Sequence, residues 1–299
     1  MKVALTGSHG LIGRRLAVEL RRSGHELVRV VRYREGDAAV VWDPDAGTVD
    51  ADRLAGVEGV VHLAGVGIGD RRWAPEHKRA VLDSRVRGTT LLAETLAGLR
   101  PHPRVLLAAS AVGFYGDRDD ELLSEDSPAG SGFLAGVCRQ WEAATAAAEE
   151  AGIRTVHLRT GIVQSAGGGA LAKQLPLFRL GLGGRLGSGR QWVSWISITD
   201  EVRAVEHLLG DDGVAGAVNL VGPAPVTNAT YTATLARVLG RPARLGVPAP
   251  ALRLALGRET ADELLLASQR VDPAVLSRSR FSWRHETLED ALRAELPGR

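Results

Sequence analysis

Apolar runs alternate with stretches of helical period through the first half of the chain. KVALT (2–6) is a short apolar run that ends in a glycine-rich turn. LIGRRLAVELRRSG (11–24) repeats its apolar positions at helical spacing and stops at Gly24, a favourable helix terminator. ELVRVV (26–31) reads as a strand, and GVVHLAG (59–65) as a buried one. Residues 75–98 predict a long helix, RVLLAAS (104–110) a strand, 132–151 a second helix and RTVHL (154–158) another strand. This alternation predicts an α/β fold, a parallel sheet with helices on both faces.

The pattern changes after about residue 160. SAGGGA (165–170) and GLGGRLGSGRQ (181–191) are glycine-rich loops around a short helix. WVSWISI (192–198) predicts a strand, TDEVRAVEHLLG (199–210) a helix and AVNLVG (217–222) a strand. Proline-rich breaks at 223–225 and 248–250 bound a mainly helical tail, whose last helix opens on a capping-box variant, Thr287 to Asp290. One division fits: a nucleotide-binding domain over 1–165 and 191–222, and a smaller lobe on the substrate side over 166–190 and 223–299.

Composition narrows the classes. No apolar run among the 299 residues is long enough to cross a bilayer, and MKVALTGSHG has no signal-peptide pattern. These features predict a cytoplasmic protein with no membrane partner. Cys138 is the single cysteine, so no internal disulfide forms, and the eight histidines show no metal-ligand spacing. No metal is expected. The formal charge is +2, and only Lys2, Lys78 and Lys173 among 37 basic residues are lysines. Acids and bases mix along the chain without a basic tract, which argues against nucleic acid. A monomer or homodimer is expected.

The turn TGSHGLIG (6–13) carries the first chemistry. Gly7, Gly10 and Gly13 follow a strand and open a helix, the context a dinucleotide-binding turn requires. Gly7 allows the tight turn, Gly10 lets a pyrophosphate approach, and Gly13 lets the helix pack closely. Ser8, His9, Leu11 and Ile12 complete the stretch, and the helix N-terminus offers free N–H groups and a positive dipole end to the anion. At the end of the second strand, Val31 leads into Arg32 and Arg34. Arginine suits the 2′-phosphate of NADP(H), where a carboxylate would suit the ribose hydroxyls of NAD(H). Glu35 and Asp37 follow closely, and a shifted register promotes one of them. NADP(H) is favoured.

Several motifs now agree: the glycine turn, HLAGVG (62–67), SRVRGTTLL (84–92), SAVGFYG (110–116) and WISITDEVRA (195–204). In this order they resemble extended short-chain dehydrogenase/reductases. RRW before SR-x-x-x-T, the WE-A-A helix and the tail PAPALRLALGRETADELLLASQRV (248–271) resemble the atypical, cell-division-inhibitor-like branch of the NAD-dependent epimerase/dehydratase family. The resemblance spans nearly the whole chain. It implies a Rossmann doubly wound sheet, a small C-terminal lobe and bound NADP(H), with no settled substrate. By the same resemblance, Leu63, Ala64 and Gly65 line the cofactor, Arg85 reaches its ribose or phosphates, and Ile162 and Val163 pack near the nicotinamide.

The resemblance breaks at the reacting groups. Typical members use a Tyr-x-x-x-Lys pair with a Ser or Thr. The tyrosine exchanges a proton with the substrate oxygen, and the lysine lowers the tyrosine pKa from the same helix face. Four residues after Tyr33, Tyr115 and Tyr231 stand Asp37, Asp119 and Leu235, so no such pair exists. Aligning on Glu142 puts Leu134 at the tyrosine position and Cys138 at the lysine position, and Ala111 falls at the Ser/Thr position. Ser110, Tyr115 and Cys138 are the remaining candidates for proton transfer. Trp73, Trp192 and Trp195 are candidate pocket walls, and Arg179, Arg185 and Arg190 candidate anion ligands. Two readings follow: an NADP(H)-dependent oxidoreductase or epimerase-like protein acting on an unknown small molecule, or a non-catalytic NADP(H)-binding redox sensor or regulatory protein.

Overall fold

The computed structural model describes residues 1–33 and 39–296; Arg34, Glu35 and Asp37, named above for cofactor choice, lie outside them. Six strands come first: β1 (Lys2–Thr6), β2 (Glu26–Val31), β3 (Val40–Asp43), β4 (Thr48–Val49), β5 (Gly59–His62) and β6 (Val105–Ala111). With Arg154–Thr160 and Gly216–Leu220 they form one eight-stranded sheet. Across the sheet the order is Gly216–Leu220, Arg154–Thr160, β6, β5, β1, β2, β3, β4. All neighbours are parallel except β3 and β4.

Alternation along β1 explains the two layers. Val3 and Leu5 face Leu16 and Leu20 of α1 (Leu11–Arg22) and the helix Ile198–Gly210. Ala4 faces the other side with Val60 and Leu106, under Leu92 and Leu96 of α2 (Pro75–Gly98). β1 pairs with β5 on one edge and β2 on the other. The order of strands reverses there, and ligands of such sheets bind above this crevice. A third cluster joins Leu171, Leu175 and Phe178 of the helix Gly169–Arg179 to Tyr231, Leu235, Leu288 and Leu292, with Trp195 in its midst.

Two predicted elements are interrupted. The helix expected over 132–151 is α3 (Phe133–Ala143) and a short helix Ala146–Glu150, broken where the buried Thr145 hydroxyl turns back to the Glu142 carbonyl. The strand expected over 192–198 divides at Ser194. Its hydroxyl donates to the Gln269 carbonyl, and its own carbonyl accepts from Ile162 N–H. The helix that follows starts at Ile198, capped by Ser197, whose hydroxyl accepts from Asp200 N–H at 2.9 Å. Thr287 caps the last helix through Asp290 N–H, as its sequence predicts. No helix of the described residues is long and apolar enough to cross a membrane.

Candidate cofactor site

The turn after β1 is shaped by contacts that leave no room for side chains. Gly7 sits at φ +65°, and a Cβ there would lie 2.8 Å from the Leu63 carbonyl carbon. A Cβ on Gly13 would lie 2.1 Å from the Gly7 carbonyl oxygen. Gly13 therefore lets the first turn of α1 rest on the loop itself. Gly10 closes the turn with N–H to Gly7 O at 2.9 Å. A cleft of about 330 Å³ opens over this turn, lined by Gly7, Ser8, His9 and Gly10, by Val31 and Arg32 at the end of β2, and by Leu63, Ala64 and Gly65 after β5. The Ser8 hydroxyl is buried at its rim and has no hydrogen-bond partner among the described residues. Free N–H groups, an unpartnered hydroxyl and a glycine floor fit a pyrophosphate. Leu11 and Ile12 pack inward at the start of α1, and Leu11 supports the loop at Gly168 and Gly169. Arg32 is half exposed, its guanidinium 3.8 Å from Asp45. In that position it can meet a second phosphate.

A buried relay holds the floor. The Thr6 hydroxyl accepts from Leu63 N–H at 3.0 Å and Ala64 N–H at 3.1 Å, which leaves its proton for His62 Nδ1 at 2.8 Å. His62 Nε2–H therefore donates to Thr89, which also accepts from the Trp141 indole. Burial pushes the His62 pKa down to about 4, so the ring is neutral in this relay. His62 ends β5 beside Leu63, and nothing in its local spacing marks its place in this relay.

Arg85 lies beneath the cleft, under Gly65. It is buried, donates from Nη1 to the Val66 and Val81 carbonyls, and stacks 4.7 Å from the Trp141 ring. It props the Gly65–Val66 turn from below instead of lining the open cleft; its Nε is buried without a partner among the described residues. Ile162 and Val163 lie on the short strand Ile162–Gln164, paired with Trp195–Ser197, and Val163 packs on the core under α1.

The candidates for proton transfer are drawn together, but into a closed network. The Ser110 hydroxyl donates to Glu142 at 2.6 Å. Arg159 grips Glu142 with two hydrogen bonds of 2.9 Å and donates to the Tyr115 hydroxyl at 3.0 Å. Tyr115 in turn donates to Asn219 at 2.7 Å. The Tyr115 ring is fully buried, and burial raises its pKa. Cys138 is buried with its thiol towards the Ala111 carbonyl; burial, then the Glu142 carboxylate, push its pKa up to about 11. Ser110 and Tyr115 thus have their hydrogen-bonding capacity spent on neighbours, and Cys138 stays a neutral thiol. Tyr115, named as a candidate for proton transfer, is therefore closed off from solvent by its neighbours.

Beside this network lies a smaller cavity of about 200 Å³, lined by Gly113, Gly116, Ser131, Leu134, Glu263 and Gln269 among others. Leu134, at the vacated tyrosine position, forms part of its wall. Glu263 comes from a π-type turn, Asp262–Leu266, and its carboxylate accepts from Phe133 N–H at 2.9 Å and Leu134 N–H at 2.8 Å. It caps α3, whose own N-cap residue is Gly132 with no side chain to do so. No local signal points to Glu263, because it lies 129 residues from the group it caps.

The other candidates separate. Trp195 is core, its indole donating to the Ala224 carbonyl. Trp73 stands edge-on to Phe133 at the start of α3, and Trp192 donates to Asp120 at 2.7 Å. Arg190 lines a larger cavity of about 610 Å³ with Asp117, Asp120 and Arg253, while Arg179 and Arg185 are exposed outside it. Among the described residues no cluster of ligating side chains can hold a metal.

Comparison with known proteins agrees with this geometry. The model of the NAD dependent epimerase/dehydratase family matches residues 3–222, and a domain of unknown function, DUF1731, matches 247–295. Epimerase family protein MT2273 of Mycobacterium tuberculosis is 45% identical over 291 residues, 97% of this chain and 96% of that protein. Human epimerase family protein SDR39U1 is 34% identical over 296 residues, 98% of this chain and 99% of that one. The crystal structure of human SDR39U1 isoform 2 with NADPH matches at a TM-score of 0.90 with 32% identity, covering 99% of each chain. A nucleoside-diphosphate sugar epimerase from Corynebacterium glutamicum matches at 0.83 with 38% identity, covering 99% of this chain and 58% of that one.

Proposed function

Because the chain belongs to the NAD dependent epimerase/dehydratase family, we propose that it binds NADP(H) and acts as an oxidoreductase or epimerase-like enzyme on a small molecule. The observation that carries the cofactor half is the glycine floor with the unpartnered Ser8 hydroxyl and Arg32 at one end of the same cleft. Gly7, Gly10 and Gly13 hold the pyrophosphate, Arg32 the adenine-ribose phosphate, and the backbone of Leu63–Gly65 the adjoining ribose. Arg85 acts through that backbone. The nicotinamide, when bound, supplies or accepts hydride. The human relative's structure with NADPH supports the preference for NADP(H).

The catalytic half rests on the cavity over Gly113 and Leu134. It has room for a small substrate, and Glu263 and Asp262 stand in its wall. Proton transfer there falls to a group other than a tyrosine–lysine pair. A second reading, binding without turnover, is favoured by the closed network of Ser110, Tyr115 and Glu142.

Calorimetry with NADPH and NADH tests the cofactor. Wild type binds NADPH more tightly, and Arg32→Glu weakens NADPH by roughly ten- to a hundredfold, the worth of a charged hydrogen bond, while sparing NADH. Equal affinities in the wild type overturn the Arg32 assignment. A crystal structure with NADPH decides the second question: a nicotinamide face open to the Leu134 cavity supports the enzyme, and one covered by side chains supports the binder.

A further inference from the structure

Charge is not mixed evenly along this chain. Between Glu150 and Asp200 there is no acidic residue, and none between Asp212 and Glu259. The fold lays parts of these two stretches side by side. Leu186 and Val247 form a parallel bridge, and Gly187 N–H and Val247 N–H each find a carbonyl on the other segment, both at 2.8 Å. Gly181 lies against the Pro242 ring, and Gly184 against the Leu245 backbone.

The neighbouring segments carry unpaired cations. Arg179, Arg185, Arg190, Arg241 and Arg244 are exposed, and none has an ion-pair partner among the described residues. The paired arginines of the second stretch, Arg237 with Glu289 and both Arg253 and Arg258 with Asp262, take their carboxylates from beyond it. Bare leucines stand among these cations. Leu177, Leu180, Leu182, Leu245, Leu254 and Leu256 make up six of the nine exposed large hydrophobic side chains of the described residues, and Leu254 is 86% exposed. Two of them, Leu180 and Leu245, directly follow Arg179 and Arg244 in sequence.

We propose that this face of the C-terminal lobe docks on an anionic lipid bilayer. The expectation of no membrane partner rested on composition averaged over the chain, and the average hides this face. Leucine side chains enter the acyl boundary while arginines meet lipid phosphates, and the adjoining segments 177–185 and 241–245 carry no carboxylate to be repelled. A nucleic-acid surface would offer aromatic rings for stacking; the large exposed apolar side chains of this face are all leucines. Docking is peripheral, since no helix of the described residues can span. The proposal is independent of the function proposed above, because the residues it uses lie outside the cofactor cleft.

Vesicle flotation of the full chain tests it. Vesicles of phosphatidylcholine with about one-third phosphatidylglycerol should carry the protein up, pure phosphatidylcholine vesicles should not, and added salt should weaken the binding. Arg241→Gln with Arg244→Gln should lower the partition about tenfold or more. Leu180→Ser with Leu182→Ser and Leu245→Ser should lower it comparably, with NADPH affinity and melting temperature unchanged in both variants. Arg21→Gln with Arg22→Gln, exposed on α1, should have no effect. No flotation, equal flotation on both vesicles, or equal loss from the α1 variant overturns the proposal. Tighter binding to single-stranded DNA or to polyglutamate than to anionic vesicles also overturns it, in favour of a nucleic-acid or acidic protein partner.

Discussion

Glu201 is fully buried in the first turn of the helix Ile198–Gly210, with one carboxylate oxygen on the Thr160 hydroxyl and the other unpartnered among the described residues. Burial pushes its pKa from 4.5 up to about 8. The folded state therefore keeps a proton that the unfolded chain has lost above about pH 4.5. The contribution to stability is fully present below that pH and is lost as pH rises to about 8. Melting curves at about pH 5 and pH 8 should show this loss, and Glu201→Gln, which is neutral at both, should show less of it; an unchanged slope would refute the assignment. Arg159 and Glu142 give the opposite kind of residue, a buried pair with its bonds satisfied. Arg159→Leu strands Glu142 and should cost about 3–5 kcal/mol in chemical denaturation, while Arg159→Leu with Glu142→Leu should recover much of it. The residue types were plain in the sequence. Glu142 served as an alignment anchor, yet nothing in its spacing revealed that Arg159 holds it. Tyr115 after β6 stood as a candidate for proton transfer for the same reason: position along a strand does not state what lies across it.

At the scale of elements, α3 shows how far local pattern reaches. Its apolar spacing predicted a helix, and the count of three tyrosines and three lysines showed that its customary proton-transfer pair is missing. Its start was not legible. Gly132 provides no cap, and the cap comes from Glu263 in another element. Glu263→Ala should cost about 0.5–2 kcal/mol, the usual worth of an N-cap, and should speed amide exchange at Phe133 and Leu134. Unaltered exchange at both amides would show that the cap contributes nothing. The same logic explains the strand divided at Ser194. Its apolar run continues to Ile198, but the Ser194 hydroxyl and carbonyl are taken by partners outside the run. Edge contacts, not propensity, place that break.

For the whole molecule, the strand order opens the crevice between β1 and β5, and residues 113–134 and 249–269 both contribute walls to the neighbouring cavities. A ligand held by the native state alone stabilises it by mass action. NADPH at about a hundred times its Kd should add about 2.7 kcal/mol, and NADH at the same concentration should add less. Thermal melts with each cofactor check this, and equal shifts would count against the preference for NADP(H).

The sequence by itself determined the alternation of strands and helices, the glycine turn and the absence of the tyrosine–lysine pair. These are local or countable properties: periodicity, a turn that tolerates only glycine, and an inventory of residue types. Tertiary structure alone decided that Ser110, Tyr115 and Glu142 close on one another through Arg159, that Arg85 props the cofactor floor from beneath, and that Glu263 caps α3. It also decided that two acid-free stretches share one face. Each of these depends on which distant groups packing brings within hydrogen-bond or van der Waals reach, and packing is set by the burial of the whole core and not by any one stretch of it.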